Sequence, residues 1–311
     1  MLSLARSIVP SMLRHFPQLD VAHPHRTRDY IIAGYTFFAV AVCLTLEFNA
    51  SLERQYILGG IAFTSLLMML LGESKETRIQ VLVAVAFATW GEHFASIYMG
   101  GYTYRFENVP AYVPPGHGMV YLTAIAMARS GLFQRYARRI TAFVIVVCGA
   151  WSVWGISGYP EQGDALGALM FTIFLGFLFL GRSPMVYLAA FFITTWLEII
   201  GTAVGAWKWA AIDPVLGLSQ ANPPSGVTFW YCIVDSVAMG GAVLVLSGLK
   251  YASRWYAPIG STPTWAGRWS ALLGLPEHAG EDIQTQIHRT SQAISTSLKN
   301  PDLAVEPLDK T

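Results

Sequence analysis

The sequence predicts an all-α fold: a polytopic membrane bundle of about eight transmembrane helices, arranged as a 4+4 parallel internal repeat. Three observations lead there. Apolar residues make up 54% of the 311-residue chain and charged residues only 13%, whereas a soluble domain carries about 25% charged residues. The apolar residues gather into segments close to the roughly 20 residues that a helix needs to cross a bilayer core. One short motif, an acid followed by an aromatic loop, occurs twice. Open strands are excluded for such segments, because lipid offers no partner to backbone N–H and C=O groups. The formal net charge of +1 gives no reason to expect a nucleic-acid partner.

A polar leader comes first. It places Leu4, Ile8, Met12 and Phe16 at helical spacing with Arg6 and Arg14 interspersed, the pattern of a short helix lying in the membrane interface. No cleavable signal peptide is expected, since the first long apolar run starts near Tyr30. The spans are expected at about 30–47, 55–72, 79–100, 117–131, 139–158, 164–181, 185–206 and 227–249, with Arg129 cutting the fourth short. Basic residues alternate between the connections. Arg6, Arg14, Arg26 and Arg28 precede the first span. Lys75 and Arg78 follow the second, Arg129, Arg135, Arg138 and Arg139 the fourth, Arg182 the sixth, and Lys250 and Arg254 the eighth. The intervening loops hold at most one each: Arg54, Arg105 and Lys208. By the positive-inside rule both termini are expected in the cytoplasm, with the protein in the plasma membrane and the aromatic loops on the opposite side. Past Lys250, Trp255, Trp265 and Trp269 with Arg254 and Arg268 suggest an interfacial segment. Ile283, Ile287, Ile294 and Leu298 follow on one helical face. The expected organisation is a leader over 1–28, repeats over 29–131 and 132–250, and an amphipathic, finally disordered tail over 251–311.

The repeat rests on particular residues. Thr89-Trp90-Gly91-Glu92 is matched by Thr195-Trp196-Leu197-Glu198, and Ser96 and Thr202 each fall four residues after their Glu. With a one-residue gap, Gly100-Gly101-Tyr102-Thr103-Tyr104 aligns with Gly205-Ala206-Trp207-Lys208-Trp209. Asn108, Pro114 and Pro115 are echoed by Asn222, Pro223 and Pro224, and Leu71-Gly72-x-Ser74 by Leu180-Gly181-x-Ser183. Four spans per half is an even number, so both halves enter the membrane in the same direction, as parallel transporter repeats do. Gly201 and Gly205 form a small-xxx-small pair of the kind that lets helices approach closely.

Glu92 and Glu198 lie about two-thirds of the way along their spans. An acid at a helix centre costs roughly 2.5–3.5 kcal/mol on insertion scales, so such residues face the bundle interior and serve a purpose. Asp235, entering from the same side, is expected at a similar depth. A neutral carboxylic acid in a dry pocket donates a proton, and an ionised neighbour stabilises a cation. Glu92, Glu198, Asp235 and His93 are therefore the candidate catalytic residues, although a side chain next to Glu92 on a helix points about 100° away from it; for Glu92 and Glu198 the plain alternative is two acids locked in hydrogen bonds that hold the halves together. Tyr102, Tyr104, His117, Trp207, Trp209, Asn108 and Asn222 are the candidate substrate-binding residues. For the four aromatics the plain alternative is an interfacial belt; their faces can also stabilise a cation. For His117 it is a loop histidine bonding backbone, and for the two asparagines a turn-forming role. Cys43, Cys148 and Cys232 read as small core residues. Glu92, His93 and His117 match no metal spacing, so no metal is expected. No nucleotide or redox motif is present, so no organic cofactor is expected either.

The duplicated pattern of Glu, small residue, Gly, aromatic-x-aromatic and Pro-rich loop resembles the integral membrane proteins of carotenoid biosynthesis. These are the carotenoid hydratases of the bacterioruberin type and, more distantly, the small heterodimeric lycopene cyclases. Glu92, Gly100, Tyr102, Tyr104 and Pro110 carry it in one half, and Glu198, Gly201, Gly205, Trp207 and Trp209 in the other, over residues 86–118 and 192–226. The membrane-bound terpene cyclases of fungal meroterpenoid pathways share the use of buried acids. Pro114-Pro115-Gly116-His117-Gly118 and the long polar tail depart from the hydratase pattern. The resemblance implies a polyene or other lipid-soluble substrate. The expectation is thus an enzyme that protonates a C=C bond of an isoprenoid, leading to hydration or cyclisation. A proton-coupled transporter or flippase and a non-catalytic membrane scaffold stand as alternatives.

Overall fold

A computed structural model describes residues 27–158 and 163–256. The leader and most of the expected tail lie outside the described residues. The described chain is a helix bundle: α1 (Thr27–Glu47), α2 (Leu52–Leu70), α3 (Lys75–Glu92), a π-helical stretch His93–Tyr98, α4 (Val113–Ala128), a short α5 (Gly131–Arg135), α6 (Ala137–Ile156), α7 (Ala165–Leu180), α8 (Pro184–Ala203) and α9 (Phe229–Tyr256). Two three-residue strands, β1 (Tyr102–Tyr104) and β2 (Trp207–Trp209), complete it. Among the described residues, five stretches are long and apolar enough to cross a membrane: Thr27–Glu47, Lys75–Tyr98, Ala137–Ile156, Pro184–Ala203 and Phe229–Leu249. The protein is therefore an all-α membrane helix bundle. Large apolar side chains such as Phe38, Val146, Leu180 and Leu244 stand exposed on its sides, as a surface facing lipid requires.

Local chemistry explains where helices begin. Ser51, Ser74, Ser130 and Asp164 each accept a backbone N–H three residues on, which satisfies one of the donors left open at a helix start. Pro114 and Pro115 open α4, and Pro184 opens α8, positions where the missing N–H costs nothing. Helix α4 is the centre of the bundle and packs on α1, α2, α3 and α8. Its small residues, including Ala124, Ala126 and Ala128, are buried alongside Tyr121 and Leu122, so its neighbours approach closely.

At the end of α4 away from the strands, Arg129 forms a buried junction. It donates to Asp29 at the start of α1 (Nε, 2.9 Å) and to both carboxylate oxygens of Glu73 (2.8 and 2.9 Å). Arg28 donates to the same Glu73 at 3.0 Å. These two arginines weigh in the expected orientation, yet their charges are cancelled locally by two acids.

The one-residue gap between the repeats has a backbone origin. Glu92 is followed by the π-helical stretch, which takes up one residue more than an α-helix over the same length. Gly100 and Gly205, equivalent in the alignment, then both turn the chain with positive φ (70° and 67°). The strands that follow pair antiparallel, Tyr102 with Trp209, Thr103 with Lys208 and Tyr104 with Trp207. Since Tyr102 aligns with Trp207 and Tyr104 with Trp209, each ring residue faces the counterpart of the other ring residue on its own strand. A twofold axis through the Thr103–Lys208 pair produces this isologous pattern.

Candidate functional site

Side chains alternate across a strand. Thr103 and Lys208 are exposed on one face of the ribbon, while Tyr102, Tyr104, Trp207 and Trp209 are buried together on the other. The four aromatics are thus no interfacial belt. The ring centroids of Tyr102 and Trp209 lie 4.7 Å apart and those of Tyr104 and Trp207 6.0 Å.

The polar tips of these rings end on the two motif acids. Tyr102 and Tyr104 donate their hydroxyls to Glu92 Oε2 at 2.5 and 2.7 Å. Trp207 and Trp209 donate Nε1–H to Glu198 Oε2 at 3.0 and 3.1 Å. Each repeat therefore holds its own carboxyl by two donors at i and i+2 of its strand, and the strand pair brings both acids to one aromatic face. Burial, followed by the adjoining Glu92 carboxyl, pushes both tyrosine hydroxyls well above their usual pKa, so they act as O–H donors. The echoed hydroxyls repeat as well: Ser96 donates to the backbone carbonyl of Glu92 (2.6 Å) and Thr202 to that of Glu198 (2.7 Å).

His117 breaks the symmetry. Its Nε2 lies 2.7 Å from Glu92 Oε1 and its Nδ1 2.7 Å from the hydroxyl of Tyr231. Glu92 is thus bonded through both oxygens, whereas the hydrogen bonds to Glu198 all fall on Oε2. Tyr231 is missing from the sequence reading. A signal for it exists: it stands four residues before Asp235 in the same apolar segment, one helical turn away.

Asp235 does not share the level of the two glutamates. The connection from β2 to α9 folds back into the bundle. Asp164 accepts the backbone N–H groups of Ala221 (2.9 Å) and Ser225 (2.8 Å), and Thr228 bonds Thr194, one turn before Glu198 on α8. Helix α9 consequently starts deeper than an eight-span count from the sequence implies. Asp235, fully buried, accepts the hydroxyl of Tyr121 at 2.9 Å. Tyr121 follows His117 by one turn and Asp235 follows Tyr231 by one turn, so this pair forms a second polar tier beneath the first.

The other expected residues separate into supports and outsiders. Asn222 accepts the backbone N–H of Trp209 at 2.9 Å and fixes the strand. Asn108 donates to Gln55 at 3.2 Å rather than to either glutamate. His93 is exposed and bonds the carbonyl of Thr89 on its own helix; one residue of helical rotation takes it out of the cluster. Gly201 serves a different neighbour from the one expected. A Cβ there would fall 1.9 Å from the Trp207 indole, so the glycine makes room for the ring of its own repeat. Cys148 and Cys232 are buried thiols and Cys43 is half-buried. Among the described residues no three His, Cys, Asp or Glu side chains are grouped to hold a metal.

Comparison with protein-family models, with curated proteins and with solved structures finds no match to this chain.

Proposed function

We propose that the protein is a membrane enzyme that protonates a C=C bond of an isoprenoid or other lipid-soluble substrate, with Glu92 and Glu198 as its acid–base pair. The observation that carries this reading is the delivery of one carboxyl from each repeat to a single buried aromatic face. Glu198, with Oε1 outside the network of its two indoles, is the donor. Its proton adds to one alkene carbon, the π pair becomes the new C–H bond, and the other carbon becomes a cation. Aromatic faces around the site stabilise that charge. Water then adds and gives up a proton to the Glu92–His117 pair, or a second C=C closes a ring and the same pair removes a proton from carbon. Tyr231 holds the other nitrogen of His117 and sets its tautomer. The lysine and arginine distribution favours cytoplasmic termini, and we place the protein in the plasma membrane.

A proton-coupled carrier would use the same two acids. Its repeats would have to part, and the outer ends of these two are tied across the ribbon. Besides the strand pairing, Arg105 donates to the carbonyls of Ala206 and Val204, and Gln220 and Ala210 both donate to that of Gly101. These ties favour a fixed arrangement of the two acids. The test is mass spectrometry of lipid extracts from cells with and without the gene, grown in heavy water. A new product, isomeric or one water heavier and carrying solvent deuterium on carbon, is expected. Uptake of an unchanged compound into proteoliposomes under a pH gradient, with no new product, would overturn the proposal in favour of the carrier.

A further inference from the structure

A second polar cluster lies where α1, α2 and the β1–α4 connection meet, outside the hydrogen bonds of the glutamate pair. Glu47, the last residue of α1, is fully buried. One of its oxygens accepts Gln55 Nε2 at 2.7 Å, and the same oxygen faces Arg105 Nε at 3.7 Å. Gln55 in turn accepts Asn108 Nδ2. Tyr112 is buried in the apolar cluster that contains Leu44 and Leu58, each one turn from Glu47 and Gln55 respectively, and its hydroxyl lies within electrostatic range of Glu47, Arg105 and also Glu92.

Four buried atoms of this cluster have no protein hydrogen-bond partner: Glu47 Oε2, Asn108 Oδ1, Arg105 Nε and the Tyr112 hydroxyl. Buried polar groups are satisfied in the great majority of cases, and a group of orphans asks for a ligand or an ordered water. Their chemistry is restrictive. Two atoms need a donor, one needs an acceptor, and the phenol can serve as either. Arg105 disfavours a cation and Glu47 an anion. A water donates twice and accepts twice through one oxygen and carries no charge; an alcohol donates once and accepts twice, and leaves the second acceptor to the Tyr112 phenol.

We infer that Glu47, Arg105, Asn108 and Tyr112 form a binding site for one uncharged hydroxyl, supplied either by a buried water or by the alcohol end of a lipid-soluble ligand. The inference stands on these four residues and does not require the proposed reaction. A water there is a structural bridge with the two to four polar partners that buried waters have. An alcohol there would lie against the apolar cluster that also holds Tyr104 and Trp207, with its chain toward the aromatic ribbon.

Radiolytic hydroxyl-radical footprinting of the full chain in phospholipid nanodiscs tests this, because a side chain touching bound water is oxidised even when buried. The readout is Tyr112, compared with Phe174 in the apolar core and with exposed Tyr98, with and without farnesol or a hydrocarbon of matched length. Oxidation of Tyr112 well above Phe174 supports the site. Loss of that oxidation with farnesol but not with the hydrocarbon assigns the hydroxyl to an alcohol ligand; any other response assigns it to water. A protected Tyr112 together with a co-purified alcohol in the lipid extract also supports the alcohol. A Tyr112 as protected as Phe174, with no alcohol in the extract, overturns the site.

Discussion

Replacing Gly201 by alanine tests whether the aromatic ribbon is seated as described. The added Cβ would lie 1.9 Å from Trp207 Cη2, where ordinary contact starts near 3.4 Å, so the ring must retreat by about 1.5 Å. Overpacking of this kind costs about 1–3 kcal/mol. The retreat also breaks the 3.0 Å bond from Trp207 Nε1 to Glu198, which holds its proton in the proposed resting state, and a hydrogen bond between uncharged groups contributes about 0.5–1.5 kcal/mol. Because the ring can relax partly, the combined loss expected is about 2–4 kcal/mol. The assay is equilibrium unfolding in mixed micelles by SDS titration. Gly91→Ala is the control: it sits in helix α3 with open space around its Cβ position and should leave stability unchanged or raise it by up to about 1 kcal/mol. Trp207→Phe removes the part of the indole that meets the new methyl. Gly201→Ala should therefore cost less in that background than in the wild type, a positive coupling measurable by a double-mutant cycle. A Gly201→Ala protein within about 0.5 kcal/mol of wild type, the ordinary range for harmless substitutions, would refute the seating of Trp207 against α8.

Asp164→Ala should destabilise by about 2–4 kcal/mol, because it leaves the buried N–H groups of Ala221 and Ser225 without acceptors and removes the α7 cap; the same SDS titration reads it, and Asp164→Asn should recover part of the loss. Arg129→Ala should cost about 3–5 kcal/mol, since Asp29 and Glu73 are left as buried, under-compensated carboxylates. Arg129→Lys should recover only part of this, as an ammonium cannot reproduce the forked contacts; unfolding midpoints of the three proteins check the order. His93→Ala should leave both stability and activity close to wild type, because the ring faces outward and bonds only its own helix; a large loss of turnover would return His93 to the site.

The spans were legible because lipid imposes a long apolar run on every helix that crosses it. The expected 139–158 and 185–206 lie close to Ala137–Ile156 and Pro184–Ala203. The duplicated acids were legible for a related reason: a carboxyl in such a run needs donors, and each repeat carries its two donors, two residues apart, shortly after the same glycine turn. What the sequence hid depends on backbone geometry or on distant partners. The gap between the repeats was visible, but its cause is a π-helical stretch. Three-residue strands between helices give too little alternation to read as a ribbon. Tyr231 and Tyr121 belong to neither copy of the motif and join the site only because α4 and α9 bring them there. Asp235 was placed by counting along a span, and the count fails because the β2–α9 connection folds inward. His93 shows that adjacency along a helix is a poor guide to adjacency in space.

The most direct measurement is the turnover of Glu198→Gln and Glu92→Gln proteins in the heavy-water lipid assay. At Glu198 both indole donors fall on one oxygen, so a glutamine carbonyl can accept both and the ribbon stays seated; only the transferable proton is lost. Turnover is expected to fall by about 10²–10⁴-fold in each variant, with unfolding midpoints close to wild type. Wild-type rates of deuterium incorporation in both variants would contradict the account at its centre.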